Sequence, residues 1–448
     1  MGRTIRDLGL VILLTLAIAP PVLAQAVKTT YVRLGSGVPG VLYEPVAPGP
    51  KAGIGIFVMH SSGDYLQFSA CTELSRRGYR VLCANSTDSK AGTETDLSMD
   101  RVLLDAKQGV AWLRKDPDIR KVVLFGHSGG GVLMAAYQSI AEGGLAACQG
   151  KEKIVKCSDS LAGLPPADGL MLIDSNYGIS AMTLFSIDPA VKNEATGQSV
   201  DPALDLYNPK NGFDPAGTHY GADFAHRFQA GVAKRENLLI RAAQDRLAKI
   251  EAGQGRFKDD EPFLVPGASF PGANNKFFSQ DPSYLSRTDK PYPLLHKDGT
   301  VTTEIVHTVR VPENMNPTTQ SMERGALKTT VRKFLGTFAL RVGNDFAFDA
   351  DSIKGVDWAS SYTTPPASVR TVKVPLLTMG MTGHWEFLAA ELIYENAASA
   401  DKSIAFVEGA THGYTPCTKC EKTPGQFGDT VKTVYDYVDG WLSKPGRF

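Results

Sequence analysis

Along the first 178 residues, short apolar runs alternate with stretches of helical spacing. "GIGIFVMH" (53–60), "YRVLCANS" (79–86), "KVVLF" (121–125) and "GLMLIDSNYG" (169–178) are nearly continuous in apolar or β-branched side chains. Runs of that length with no polar alternation are strands buried on both faces. Between them, "FSACTELSRRG" (68–78), "DRVLLDAKQGVAWLRKD" (100–116) and "GVLMAAYQSIAEGG" (131–144) carry apolar residues at helical spacing. The pattern returns late, with strands over 372–380 and from 402, and helices over 385–399 and 429–444. Strands alternating with helices predict an α/β fold, with a mostly parallel central sheet covered by helices on both faces.

Between 179 and 365 the alternation stops, and the chain becomes rich in Pro, Asn, Asp and Gly. The spacing predicts helices over 223–253 and 322–342. A block this long is not a plain loop. The expected organisation is a core built from 25–178 and 366–448, with 179–365 inserted as a cap or lid. The block holds many aromatics, among them Phe224, Phe228, Phe263, Phe270, Phe277, Phe278, Tyr284 and Tyr292. They form the block's own core or line a site for a bulky group.

The N-terminus departs from this pattern. Arg3 and Arg6 precede an apolar run from Leu8 to Ala19, followed by Pro20, Pro21 and small residues up to Ala24. Residues 1–24 read as a secretory signal peptide cleaved after Ala24, because the apolar run is short of the roughly 20 residues that span a bilayer. No other segment is apolar enough to span, so no integral membrane segment is expected after cleavage. Export, to periplasm or medium, permits disulfides. The 6 cysteines fall into three local pairs: Cys71 with Cys83, Cys148 with Cys157, and Cys417 with Cys420. Lys+Arg and Asp+Glu are both 47, so charge gives no reason to expect nucleic acid as a partner.

The candidate chemistry centres on "KVVLFGHSGGG" (121–131). A strand ends, Ser128 stands between Gly126 and Gly130, and a helix follows. This is a G-x-S-x-G turn that exposes a serine at its apex and aims helix N–H groups at it. No GxGxxG occurs, and no lysine follows the glycines, which argues against a nucleotide loop.

With "FVMHSSGDY" after an earlier strand and "VEGATHG" before the last helix, the chain resembles the α/β-hydrolase superfamily outside the middle block. The resemblance implies Ser128 as nucleophile and His412, in the loop after the last strand, as general base. It implies an oxyanion hole from the Gly129 N–H and one N–H of the loop after His60, with Ser62 expected and Ser61 or Gly63 open. For the acid, many members have an Asp after the penultimate strand, where this chain has Met381, Thr382 and Gly383. Asp174 and Glu386 are both candidates, and Glu391 is a distant third. The activity implied is that of a serine hydrolase cleaving a carboxylic ester of a small molecule, lipid or polymer. Amidase, thioesterase or lactonase chemistry on the same triad are the alternatives, and a non-catalytic binding protein on this fold is another. No metal and no organic cofactor are expected.

Overall fold

The computed structural model describes residues 25–88, 97–197, 199–269, 276–313 and 325–448. The expected signal peptide (1–24) and Phe270 lie outside the described residues. The strands are β1 (Val27–Arg33), β2 (Pro39–Pro45), β3 (Ile54–Met59), β4 (Arg80–Ala84), β5 (Lys121–Ser128), β6 (Gly169–Ser175), β7 (Pro262–Val265), β8 (Arg287–Leu295), β9 (Val301–His307), β10 (Leu327–Thr330), β11 (Val342–Phe348), β12 (Ile353–Val356), β13 (Leu376–Met381) and β14 (Lys402–Val407). The helices that matter to the argument are α1 (Ser69–Arg76), α2 (Met99–Leu113), α3 (Gly129–Gly143), α4 (Ile179–Leu184), α5 (Ala222–Glu251), α6 (Ala389–Asn396) and α7 (Thr430–Leu442).

Ten of these strands form one sheet in the order β1-β2-β4-β3-β5-β6-β13-β14-β8-β9. Pairing is parallel from β4 through to β8 and antiparallel at both ends. The apolar runs explain the burial of the inner strands. Phe57, Met59, Val122, Leu124, Leu170 and Leu172 point to the face covered by α2, α3 and α6. Their neighbours Ile56, Val58, Val123, Phe125, Met171 and Ile173 point to the face covered by α1 and α7. Burial of each such side chain contributes about 1.5–3 kcal/mol. This is the α/β-hydrolase fold: parallel strands, helices on both faces, and a serine elbow after a central strand.

Part of the middle block belongs to that sheet. The hairpin β8–β9 continues it beyond β14, with Leu294 beside Phe406 and Leu295 beside Val407. Without it, β14 would be an edge strand with unpaired N–H and C=O groups. Elsewhere in the block, Phe224 and Phe228 of α5 and Phe277 make ring contacts at 5.2–6.1 Å.

Two expectations need correction. The helix expected over 322–342 does not form. Among the described residues of that stretch, Leu327–Thr330 is a strand paired with β7, and only short turns at Val331–Lys333 and Phe334–Phe338 are helical. Thr329, Thr330 and Val331 are β-branched in succession, which favours extended pairing over a helix. The helix expected from Trp385 begins at Ala389. Glu386 therefore sits in a turn before the helix rather than in its first turn.

Candidate active site

β5 runs directly into α3, and Ser128 at the junction has φ 55° and ψ −129°. A non-glycine residue there carries strain of about 1–3 kcal/mol, sustained by its surroundings. Those surroundings admit no Cβ on either flank. One on Gly126 would lie 2.6 Å from the Gly130 carbonyl oxygen, and one on Gly130 would lie 2.6 Å from that of Met59. The Gly129 N–H, first in α3, has no partner within the helix and lies at its positive dipole end. The Ser128 hydroxyl makes no hydrogen bond among the described residues. Such contacts often close only when substrate binds.

His412 lies in the loop after β14. Its Nδ1 donates to Asp174 Oδ2 at 2.7 Å, which leaves Nε2 as the basic nitrogen. Asp174 ends β6 with φ 46° and also accepts the Met381 N–H at 3.0 Å. The pairing of β6 with β13 brings Met381 there, since Ile173 lies beside Met379.

The histidine loop is held at several points. Gly409 N–H donates to Thr382 Oγ1 at 2.7 Å, Gly383 N–H to Ala410 at 2.8 Å, and Thr411 N–H to Thr415 at 2.8 Å. The His412 carbonyl accepts from His127 Nε2 at 2.7 Å, tying the loop to the residue before Ser128. A carbonyl only accepts, so Nε2 carries the proton of a neutral His127. Its Nδ1 therefore accepts the Tyr65 hydroxyl, 2.5 Å away. Burial and the nearby His412 charge keep His127 well below the usual histidine range, so it stays neutral.

A second carboxylate and a second imidazole complete the cluster. His384 Nδ1 is 3.3 Å from Asp174 Oδ2, and its ring stacks on His412 at 4.2 Å. Glu386 Oε2 is 3.5 Å from His412 Nδ1 and has no hydrogen-bond partner. Burial raises Asp174, but its hydrogen bonds to His384 and His412 outweigh this and hold it well below the ordinary carboxylate range. Burial pushes Glu386 up to about 8. Burial, with the His412 charge, pulls His384 down to about 4. For His412, burial lowers the pKa, but the Glu386 charge and the Asp174 hydrogen bond outweigh it and raise it to about 9. The two groups are coupled: a charged Glu386 favours the imidazolium at His412, whereas a protonated Glu386, which burial favours, leaves Nε2 of His412 free to accept a proton.

The structure brings Asp174, Glu386 and His412 together and sets Ser128 beside His127, whose ring holds the His412 loop. Glu391 is elsewhere, accepting the Asp289 and Lys290 N–H groups. The loop after His60 differs from the expectation for Ser62. Its N–H donates to His60 Nδ1 at 3.0 Å, as does that of Gly63 at 2.6 Å. Ser61 lies against Gly129, where an added Cβ would meet Ser61 Oγ at 2.5 Å. Sequence reasoning missed the Tyr65–His127 anchor and the role of His384 beside Asp174. The one available signal was that His384 follows the penultimate strand. The cysteines pair as expected, with Cα separations of 6.2 Å (Cys71–Cys83), 5.6 Å (Cys148–Cys157) and 5.2 Å (Cys417–Cys420).

No family model matches the sequence, and no curated protein matches it. Solved structures do align with it. Siderophore hydrolase EstB from Aspergillus fumigatus is 12% identical over 93% of this chain and 98% of its own, with a TM-score of 0.42. Carboxyl esterase 2 from Tuber melanosporum is 12% identical over 96% and 89%, at 0.38. Proline iminopeptidase from Mycobacterium smegmatis is 12% identical over 93% and 99%, at 0.36. These alignments are loose, and the fold assignment rests on strand order and on the elbow.

Proposed function

We propose that the protein is an exported serine hydrolase that cleaves a carboxylic ester. One observation carries this reading: His412 Nδ1 is bonded to buried Asp174 while its backbone is bonded to His127, next to Ser128 on the strained elbow.

In this reading Ser128 Oγ attacks the ester carbonyl and His412 Nε2 takes its proton. Asp174 fixes the Nδ1–H tautomer and stabilises the imidazolium that forms. The Gly129 N–H stabilises the oxyanion. The Ser61 N–H is the better second donor, since those of Ser62 and Gly63 are engaged by His60. The imidazolium then protonates the leaving alcohol. Water, deprotonated by His412, hydrolyses the acyl-enzyme and frees Ser128. Asp174 is the triad acid, because it makes the 2.7 Å bond and stays ionised, whereas Glu386 is held neutral by burial. Export rests on the N-terminal pattern and on three cysteine pairs at bonding distance. Among the described residues no helix is long and apolar enough to cross a membrane.

The test is labelling with a fluorophosphonate probe and turnover of p-nitrophenyl esters of increasing acyl length. Label is expected on Ser128 alone, and Ser128→Ala should lose at least about a hundredfold in turnover with its melting temperature kept. Label elsewhere, or turnover that survives the substitution, overturns the reading.

A further inference from the structure

The cluster holds more ligating atoms than a catalytic triad uses. Asp174, His384, Glu386 and His412 each offer one ligand atom, and these atoms all lie within 4.8 Å of one another. The separations are 2.7 Å (His412–Asp174), 3.3 Å (His384–Asp174), 3.5 Å (His412–Glu386) and 3.9 Å (His384–Glu386). A tetrahedral ion with bonds of about 2.0–2.1 Å needs ligand atoms about 3.3–3.4 Å apart, and these four values straddle that edge length. Sub-ångström shifts bring these four to it, and the other two pairs lie within 4.8 Å.

A second observation points the same way. Glu386 is 3% exposed, and its Oε2 faces the two imidazoles without a hydrogen bond. A buried carboxylate oxygen left unpartnered beside two ring nitrogens costs stability. A cation among the four atoms would satisfy it. The donor set, two imidazoles and two carboxylates, suits Zn²⁺ better than Mg²⁺ or Ca²⁺, which prefer all-oxygen ligands. The Lys276 charge acts on Glu386 against a cation, and the Glu313 charge acts on both histidines in its favour.

We propose that Asp174, His384, Glu386 and His412 form a site for Zn²⁺ or a similar transition-metal ion, whose binding reversibly switches the hydrolase off. The metal takes the Nδ1 lone pair of His412, releasing the proton that Nδ1 shares with Asp174. Glu386 enters as a carboxylate and releases its own. With Nδ1 metallated and Asp174 committed, Nε2 no longer has an anionic partner to stabilise its protonated form. Binding stands on the geometry alone, while inhibition rests on the hydrolase reading above.

Chelator-treated, dialysed protein would be titrated with ZnCl₂ by calorimetry, alongside Ser128→Ala, His384→Ala, His384→Asn and Glu386→Gln, each checked for folding by circular dichroism. One Zn²⁺ per chain is expected. Ser128→Ala should bind as the parent does, while each ligand variant should weaken binding by at least about tenfold. MgCl₂ should give no heat. Ester turnover should fall with zinc occupancy and return with EDTA. In His384→Ala the inhibition midpoint should move at least about tenfold relative to that variant's own zinc-free rate. No binding, or binding that the folded ligand variants leave unchanged, overturns the site. Site-specific binding that leaves turnover intact overturns the inhibition. If no preparation hydrolyses esters while the variants still separate in calorimetry, the hydrolase reading fails and the metal site stands.

Discussion

Two buried glutamates, one beside His412 and one in the inserted block, start from the same physics. Glu236 on α5 and Glu386 before α6 are both almost fully buried, and each has an Oε2 with no hydrogen-bond partner. Burial is the largest influence on both and raises each to about 8. Their company differs. Glu236 accepts one backbone N–H, from Leu340 at 3.0 Å. Glu386 faces His412, His384 and Asp174. A raised carboxyl pKa and an orphaned oxygen are thus products of burial and mark no site by themselves. The groups around them decide what the carboxyl can do.

The contrast breaks most severely if the acid has been misassigned. Asp174→Asn should lower kcat by on the order of 10³–10⁴, since the amide holds the wrong histidine tautomer. With chelator present, Glu386→Gln should cost less than about tenfold, because a neutral side chain replaces a neutral one. Steady-state kinetics on one ester decide it, and equal losses would make the two carboxylates a single acid.

A smaller effect sharpens the contrast from the block's side. The folded pKa of Glu236, about 8, lies above its unfolded value, so between the two the folded state binds a proton the unfolded chain lacks. Stability is therefore lost as pH rises through 8. Glu236→Gln cannot titrate, so its melting temperature should gain at least about 2 °C on the parent between pH 5 and pH 9, with turnover little changed. A constant difference across that range would mean that Glu236 is already ionised in the fold. The smallest effect expected is at the Cys417–Cys420 pair. Removing both thiols should lower turnover more than it lowers the melting temperature, because the bridge closes a short loop near His412.

Much of this was legible in the sequence. Strands β3 to β6, β13 and β14 are apolar on both faces, so burial wrote them directly into the chain. The elbow was legible because few residues other than glycine fit at 126 and 130. The acid was not. Asp174 lies at the end of β6 and Glu386 in the turn that follows the neighbouring β13, and only three-dimensional placement separates 2.7 Å from 3.5 Å at the same nitrogen. The Tyr65–His127 anchor joins residues 62 apart and has no local signature. Strand β8 was hidden by Pro291 and Pro293, which read as loop until the pairing with β9 is seen. The stretch 322–342 misled because apolar spacing there mimics a helix while Thr329 and Thr330 favour a strand.

The β8–β9 hairpin bears on how the protein could be re-engineered. The inserted block is not a removable module with two clean cut points. Excising 179–365 whole would strip the last two strands from the sheet and leave β14 as a bare, mostly buried-type strand immediately before the His412 loop. Such an edge is a template for chain-to-chain pairing, so a version shortened that way should precipitate. A minimal version would have to keep 287–307 and splice around it, which makes the inserted block and the sheet two interleaved parts of one chain.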